Sequence, residues 1–405
     1  MRISSIPVLS AFTGLGGLDL GLEHAGFETI ACLEIDAAAL TALGRNRPAW
    51  RLLAPGDVAQ AGQRLRPADL GLAQGDLAVL AGGPPCQPFS KAAQWHPSSR
   101  AGVSDPRAHS LHGLLNLVDS FLPEVLLLEN VAGFLRGPDS AHPLLEQGLA
   151  VVNERHGTAY QLQHRVLDAV DYGVPQRRQR AIAVATRNGR TFQWPEPTHA
   201  HAPVRCWDAI GGLRRPEVPR LTGRWAGLLA SIPEGKNYQW HTDHGDGEPL
   251  FGYRTRYWSF LLKLARDQPS WTLPASPGPS TGPFHWDNRP LTTTERLRLQ
   301  SFPADWSVPG NRQEQTRLVG NATPPLLAEV IGRAIAAQLY GAELAATPCL
   351  AVQRVEFVPP PVAPAPVPAS YLHRRGRHAA HPGTGLGPAP RRPRPDPGAP
   401  PPIRS

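Results

Sequence analysis

Leu77-Ala78-Val79-Leu80-Ala81-Gly82-Gly83-Pro84-Pro85-Cys86-Gln87-Pro88-Phe89-Ser90 is the stretch on which the fold turns. Leu77 to Ala81 is a short, continuous apolar run, the pattern of a parallel strand covered on both faces. Two glycines and two prolines then stop the strand, because proline fixes φ and has no N–H to give to a ladder. Cys86 is thereby delivered to the carboxyl end of a strand, where open α/β sheets gather their ligands. Flanked by Pro85 and Pro88, it has little local freedom, which suits a nucleophile that must reach one atom. A cysteine in an arbitrary sequence is most often a small buried hydrophobe. The flanking pattern here is too particular for that, and Cys86 is the candidate nucleophile.

Outward from this stretch, Val8 to about Thr186 alternates short apolar runs with amphipathic ones, as in a βαβ sheet. Val8–Phe12, Thr29–Glu34, Leu77–Ala81, Val125–Glu129 and Arg180–Ala185 read as strands. Gly17–Ala25 reads as the first helix, and Asp36 is placed to cap the next. After Asn188 periodicity is lost and prolines, tryptophans and arginines become frequent through about Trp286. Helical spacing returns at Thr293–Gln300 and Pro325–Leu339. From Pro359 the chain is proline-rich with almost no aliphatic residues, so it is expected to be disordered.

The chain of 405 residues has room for two domains, and its four cysteines form no C-x-x-C pair. That spacing argues against a zinc site or a disulfide framework and fits a reducing compartment. No apolar run reaches membrane-spanning length and the start carries no signal-peptide core, so a cytoplasmic protein without a membrane partner is expected. The net charge of +8 is uneven: seven arginines and one aspartate from Phe357 onward hold six of those charges. Binding of nucleic acid by the folded part would therefore need a local patch.

Three further stretches carry chemistry. Phe12-Thr13-Gly14-Leu15-Gly16-Gly17 is a glycine-rich turn from strand to helix, followed at the end of the next strand by Glu34. Such a turn lets a ligand approach the backbone, and Glu34 is placed to bind ribose hydroxyls. Together they suggest an adenosine-containing cofactor, although a glycine turn alone serves structure equally well. Glu129-Asn130-Val131 closes an apolar run, placing a partly desolvated carboxyl where it could bind or protonate a ring nitrogen. An isolated Glu-Asn is also a common helix-capping pair. In Gln176-Arg177-Arg178-Gln179-Arg180, period-two alternation puts Arg178 and Arg180 on one face, able to hold phosphate or carbonyl oxygens. A solvated basic face is the competing explanation.

Taken together with Gly320-Asn321-Ala322-Thr323-Pro324-Pro325, and in this order along the chain, these motifs resemble the DNA cytosine-C5 methyltransferase family. The resemblance covers Val8 to Arg187 and Arg289 to Leu339. It departs from the family in small ways, at Thr294, where arginine is common, and at Ala322-Thr323, where Ala-Val is usual. It implies a doubly wound, Rossmann-like α/β sheet binding S-adenosyl-L-methionine, with a smaller inserted target-recognition domain. The implied cofactor pocket is Phe12, Gly14, Gly16, Glu34, Ile35 (against adenine), Asp57 (on the adenine amino group), Pro84 and Asn321. The implied catalytic set is Cys86, Glu129, Arg178 and Arg180, acting on a flipped-out cytosine. Gln87, Ser90, Arg254 and Arg256 are the candidate DNA contacts.

The implied organisation is a catalytic domain over 1–188, target recognition over 189–288, a returning segment over 289–346 and a tail over 347–405. In the recognition stretch Arg214, Arg215, Arg220, Arg224, Arg254 and Arg256 interleave with Trp225, Tyr238, Trp240 and Tyr257. Arginine is the usual reader of guanine, though most single arginines contact phosphate or solvent. His241-Thr242-Asp243-His244 has too few ligands for a metal site and reads as a polar loop. With no regulatory domain ahead of the first motif, the expectation is a monomeric modification enzyme of a restriction system. It would act on double-stranded DNA, with a cognate endonuclease as its other partner. The alternatives are a transfer-RNA cytosine-C5 methyltransferase and a non-catalytic DNA-binding regulator.

Overall fold

The computed structural model describes residues 6–85, 109–137, 140–213, 219–254 and 257–378. The chain divides into two compact units. The first comprises Met1–Glu217, Arg266–Ser276 and Thr292–Val358; the second comprises Val218–Ala265, Pro277–Leu291 and Pro359–Ser405.

The first unit is built on a six-stranded sheet of order β2-β1-β3-β4-β6-β5. Its strands are β1 Ile6–Ala11, β2 Phe27–Leu33, β3 Val79–Gly82, β4 Val125–Asn130, β5 Gln163–Asp168 and β6 Gln179–Thr186. β1 pairs in parallel with β2 and β3, and β3 with β4, whereas β6 runs antiparallel to both β4 and β5. Alternation along each central strand feeds two cores. Leu9, Leu80, Leu126 and Leu128 pack against α3 (Val58–Arg64), α4 (His109–Phe121) and α5 (His142–His156). Val8, Val79, Val125 and Leu127 pack against α1 (Gly17–His24) and α9 (Pro325–Tyr340) on the other face. Helices thus cover both faces, which is what a doubly wound sheet requires.

A third core joins α1, α2 (Ala37–Asn46), α7 (Thr293–Leu299) and α8 (Arg312–Asn321) through Leu20, Leu43, Trp50, Phe302, Trp306 and Leu318. It brings the last motif back to the first. α2 starts at Asp36, whose Oδ1 accepts from the N–H groups of Ala38 and Ala39 at 3.0 and 3.1 Å, the capping role expected of it. Residues 189–217 belong to this unit: Phe192 is buried in the second core, with Trp194 packed against it. No helix among the described residues is long and apolar enough to cross a membrane.

The second unit has little regular structure. Two short 3-10 helices, Ala226–Ser231 and Tyr238–His241, and α10 (Ala369–Leu372) surround Leu228, Leu229, Ile232, Tyr238, Leu250, Leu261 and Phe284. For residues 359–378 the disorder expected from Pro359 is corrected here. Val367 and Tyr371 pack on this core, Ala365 N–H donates to Ala230 O at 2.9 Å, and Tyr371 Oη donates to Arg224 O at 2.9 Å. The segment has too few apolar groups to fold by itself, but it adds to a core that already exists.

Candidate active site

The parallel strands β1, β3 and β4 end together, with Ala11 opposite Gly82 and Gly82 opposite Leu128. Beyond β3 the backbone passes Glu129 closely, since a Cβ placed on Gly83 would lie 3.6 Å from Glu129 Oε2. The loop is held from β4: Asn130 Nδ2 donates to Pro84 O at 2.7 Å, and both residues are buried. Cys86, Gln87 and Ser90 follow immediately and lie outside the described residues, as does Arg256.

Glu129 stands opposite Ile182 in the β4–β6 ladder, which makes Arg180 its same-face diagonal neighbour. Arg180 Nε lies 2.7 Å from Glu129 Oε1, with 12% and 8% of the side chains exposed. The expected desolvated carboxyl is therefore half of a nearly buried ion pair. Arg178 sits in a different setting from Arg180. It is 1% exposed, and its Nη2 donates to Gly320 O at 2.7 Å and Ala322 O at 3.0 Å. Its backbone N–H donates to Asp168 Oδ1 at 2.8 Å. Its guanidinium braces the α8–α9 turn.

The glycine turn is held open by its conformation. Phe12, Gly14 and Gly16 take φ of 58°, 56° and 77°, and a Cβ on Gly16 would meet Leu43 and Trp50 at 2.9 Å. Glu34 closes the turn, with Oε2 accepting from Gly14 N–H at 2.6 Å and Oε1 from Ile35 and Asp36 N–H at 2.7 Å each. Ile35 beside it is 73% exposed. Asp57 caps α3 through Ala59 N–H at 2.8 Å, and the preceding Gly56 is packed on Glu34 O, where a Cβ would sit 1.8 Å away. A carboxylate with spare lone pairs beside an apolar side chain offered to solvent fits a ribose and an adenine ring. The described residues thus fit an adenosine-containing group.

On the far side of this region Asn321 ends α8 and is exposed. The turn after it presses on α1, because a Cβ on Gly17 would lie 2.1 Å from Thr323 O and one on Gly21 2.4 Å from Ala328 Cβ. Sequence reasoning missed Arg317, one helical turn before Asn321, whose Nη1 lies 2.7 Å from Asp36 Oδ2. Only the i, i+4 spacing from the named asparagine could have signalled it. It also missed Asp19 as a charge: the side chain is fully buried, and burial pushes its carboxyl up to about 6.

In the second unit Arg254 lies 5.8 Å over the Tyr257 ring and donates its backbone N–H to Tyr238 Oη at 2.9 Å. His241 is buried, with Nε2 2.9 Å from Ser231 Oγ and Nδ1 3.0 Å from Glu248 O, so both ring nitrogens meet protein partners.

The family model for C-5 cytosine-specific DNA methylase matches residues 6–337. The chain is 35% identical to the type II methyltransferase M.SacI of Streptomyces achromogenes, over 82% of this chain and 93% of that protein. It is 32% identical to the type II methyltransferase M.Eco47II of Escherichia coli, over 81% and 78% respectively. Among solved structures, a DNMT2 mutant from Spodoptera frugiperda shares the fold with a TM-score of 0.58 at 16% identity, over 82% of this chain and 99% of that one. This chain belongs to the C-5 cytosine-specific DNA methylase family. It is a DNA (cytosine-5-)-methyltransferase that uses S-adenosylmethionine and takes DNA as substrate.

Proposed function

We propose that this enzyme is the modification methyltransferase of a restriction–modification system, a cytoplasmic monomer partnered by an endonuclease that cuts the same duplex sequence. The type II names of its relatives support this role. Cys86 is the nucleophile, Glu129 and Arg180 act on the target base, and the glycine turn with Glu34, Ile35, Asp57 and Asn321 holds the cofactor. Target choice belongs to the stretch 189–288, with Arg254 among its DNA contacts. Most of that stretch falls in the second unit.

The observation that carries the reading is the Arg180–Glu129 pair, 2.7 Å apart, beside the loop that Asn130 ties down two residues before Cys86. Carbon 5 of cytosine is a weak nucleophile, so the ring must first be activated at carbon 6. The Cys86 thiolate forms a bond to carbon 6 and drives an electron pair toward carbon 5. Glu129 stabilises the charge that builds at ring nitrogen 3, and Arg180 holds the Glu129 carboxyl in place. S-adenosylmethionine, when bound, supplies an electrophilic methyl group. Loss of the carbon 5 proton returns an electron pair to the ring and expels the thiolate. The base must leave the duplex stack for this, at a cost of a few kcal/mol.

The test is methylation of mixed-sequence duplex DNA with labelled cofactor, followed by mapping of the modified cytosines at single-base resolution. One recurring sequence is expected, with the label on carbon 5. Cys86→Ser is expected to abolish both transfer and the covalent complex with DNA carrying 5-fluorocytosine at the target. A variant that still forms that complex refutes the nucleophile.

A further inference from the structure

Most long cations of the sheet unit have acceptors: Arg47 meets Glu23, Arg155 meets Asp119 and Arg187 meets Glu124, each within 2.9 Å. Arg177 is arranged differently. Among the described residues its guanidinium has no hydrogen bond or ion pair, and it lies 5.4 Å from the ring centroid of Trp271. Both residues are exposed, Trp271 by 37%. Their backbones are locked together, with Arg177 N–H donating to Ser270 O at 2.8 Å and Thr272 Oγ1 donating to Arg177 O at 2.7 Å.

The neighbours of Arg177 point inward. Gln176 is fully buried, with Nε2 donating to Leu299 O and Oε1 accepting from Leu273 N–H, and Arg178 is buried against Gly320 and Ala322. Alternation along the extended chain therefore turns Arg177 out. An exposed arginine usually samples many rotamers, but an indole face fixes the guanidinium plane and leaves its edge donors free. Its place is also defined. Because β6 is antiparallel to β4, the chain entering β6 lies at the carboxyl edge of β4, beside Glu129 and Arg180. The charge of Arg177 is felt by the Asp171 carboxyl.

We propose that Arg177, packed over the Trp271 ring, binds a phosphodiester oxygen of the substrate DNA strand beside the target cytosine. This rests on the active-site reading above. A fixed, unpaired guanidinium edge at the rim matches the planar, charge-assisted donors that phosphate prefers. The contact positions the strand and reads no base.

The test measures binding of the full-length enzyme to duplex DNA containing its site across a salt series, for wild type, Arg177→Gln, Arg177→Lys and Trp271→Leu. Loss of one phosphate contact should flatten the log–log salt slope by about 0.9 in Arg177→Gln. Affinity should fall roughly tenfold, equivalent to one charge-assisted hydrogen bond. Arg177→Lys should keep the slope with weakened affinity, and Trp271→Leu should keep the slope with affinity lowered a few-fold. S-adenosylhomocysteine binding should be unchanged in all, which a folding defect would not allow. If wild type methylates cytosine and Arg177→Gln keeps the wild-type slope, the contact is wrong and the active-site reading stands. If wild type does not bind duplex DNA, both fall.

Discussion

The two units of this methyltransferase are held together by different chemistry. The sheet unit stacks aliphatic side chains in alternate rows, Leu126 and Leu128 to one face and Val125 and Leu127 to the other. The second unit gathers rings: Trp225 lies 5.1 Å from Phe251 and 6.0 Å from Phe260, and it stacks on Tyr371 at an interplanar angle of 23°. A sheet of aliphatic rows gives the chain rigid ends at which charge can be held, as with Glu129 and Arg180. A ring cluster tolerates irregular backbone, because large faces cover much area with few residues. The chemistry should therefore fail with single atoms of the first unit, and the binding of DNA with the packing of the second.

The largest effect that sharpens this division is expected at Glu129. Glu129→Gln keeps the shape of the side chain and removes the charge paired with Arg180. Turnover should fall roughly a hundredfold to a thousandfold, the usual cost of losing one electrostatic stabiliser. Cofactor affinity, measured by titration with S-adenosylhomocysteine, should barely move. Weakened cofactor binding at an unchanged rate would reassign Glu129 to the other ligand. Arg178 provides the contrast two residues from Arg180. Arg178→Ala leaves the Gly320 and Ala322 carbonyls without their buried donor, and about 3 kcal/mol of unfolding free energy should be lost. Urea titration measures that loss. A large drop in turnover at undiminished stability would place Arg178 in the catalytic set.

The same contrast explains what could be read in advance. All five expected strands lie within two residues of their observed bounds because they carry apolar runs; β3 starts two residues later than expected because Leu77 and Ala78 are buried just ahead of the ladder. β5 was missed: Gln163–Asp168 pairs only with β6 and buries only Leu167, so it shows no run. The places of Glu34, Glu129 and Arg180 at strand ends were legible because their motifs fix backbone shape as well as side chain. The true place of Arg178 was not, since its partners are carbonyl oxygens some 140 residues away. The second unit, with residues 359–378, was illegible for a related reason. Ring–ring packing has no period, and Tyr371 finds Trp225 across a long separation.

Asp19 tests the rigidity of the first unit through pH. Burial outweighs the pull of the Ser10 hydroxyl and raises the group to about 6 from an ordinary value of 3.8. The folded protein thus binds a proton more tightly than the unfolded chain, so stability from this group is greatest below about pH 4. It declines as pH rises to about 6 and then stays level, a total of about 3 kcal/mol at 1.36 kcal/mol per unit. Asp19→Asn should remove that dependence, raising unfolding free energy at pH 7 by up to this amount and leaving it little changed at pH 4. Denaturant melts of both proteins at the two pH values measure it. Equal stability of the two at pH 7 would mean that water or a rearranged partner satisfies the carboxylate.

The smallest expected effect concerns the end of the chain and tests where the second unit stops. A cut after Glu356 removes Val367 and Tyr371 from the ring core, together with the Ala365–Ala230 and Tyr371–Arg224 hydrogen bonds. It should cost DNA binding while the sheet unit still binds S-adenosylhomocysteine. A cut after His378 spares all of these contacts and removes four arginines and one aspartate. If those arginines touch phosphate, each contributes about 0.9 to the log–log salt slope, so the shorter chain should show a flatter slope and weaker binding to any DNA. The methylated sequence and the single-turnover rate should be the same as in the whole chain. Binding titrations across a salt series, run on both cuts and the whole enzyme, separate loss of a core from loss of charge. An altered target sequence after the cut at His378 would place recognition beyond the packed ring cluster and break the division between the units.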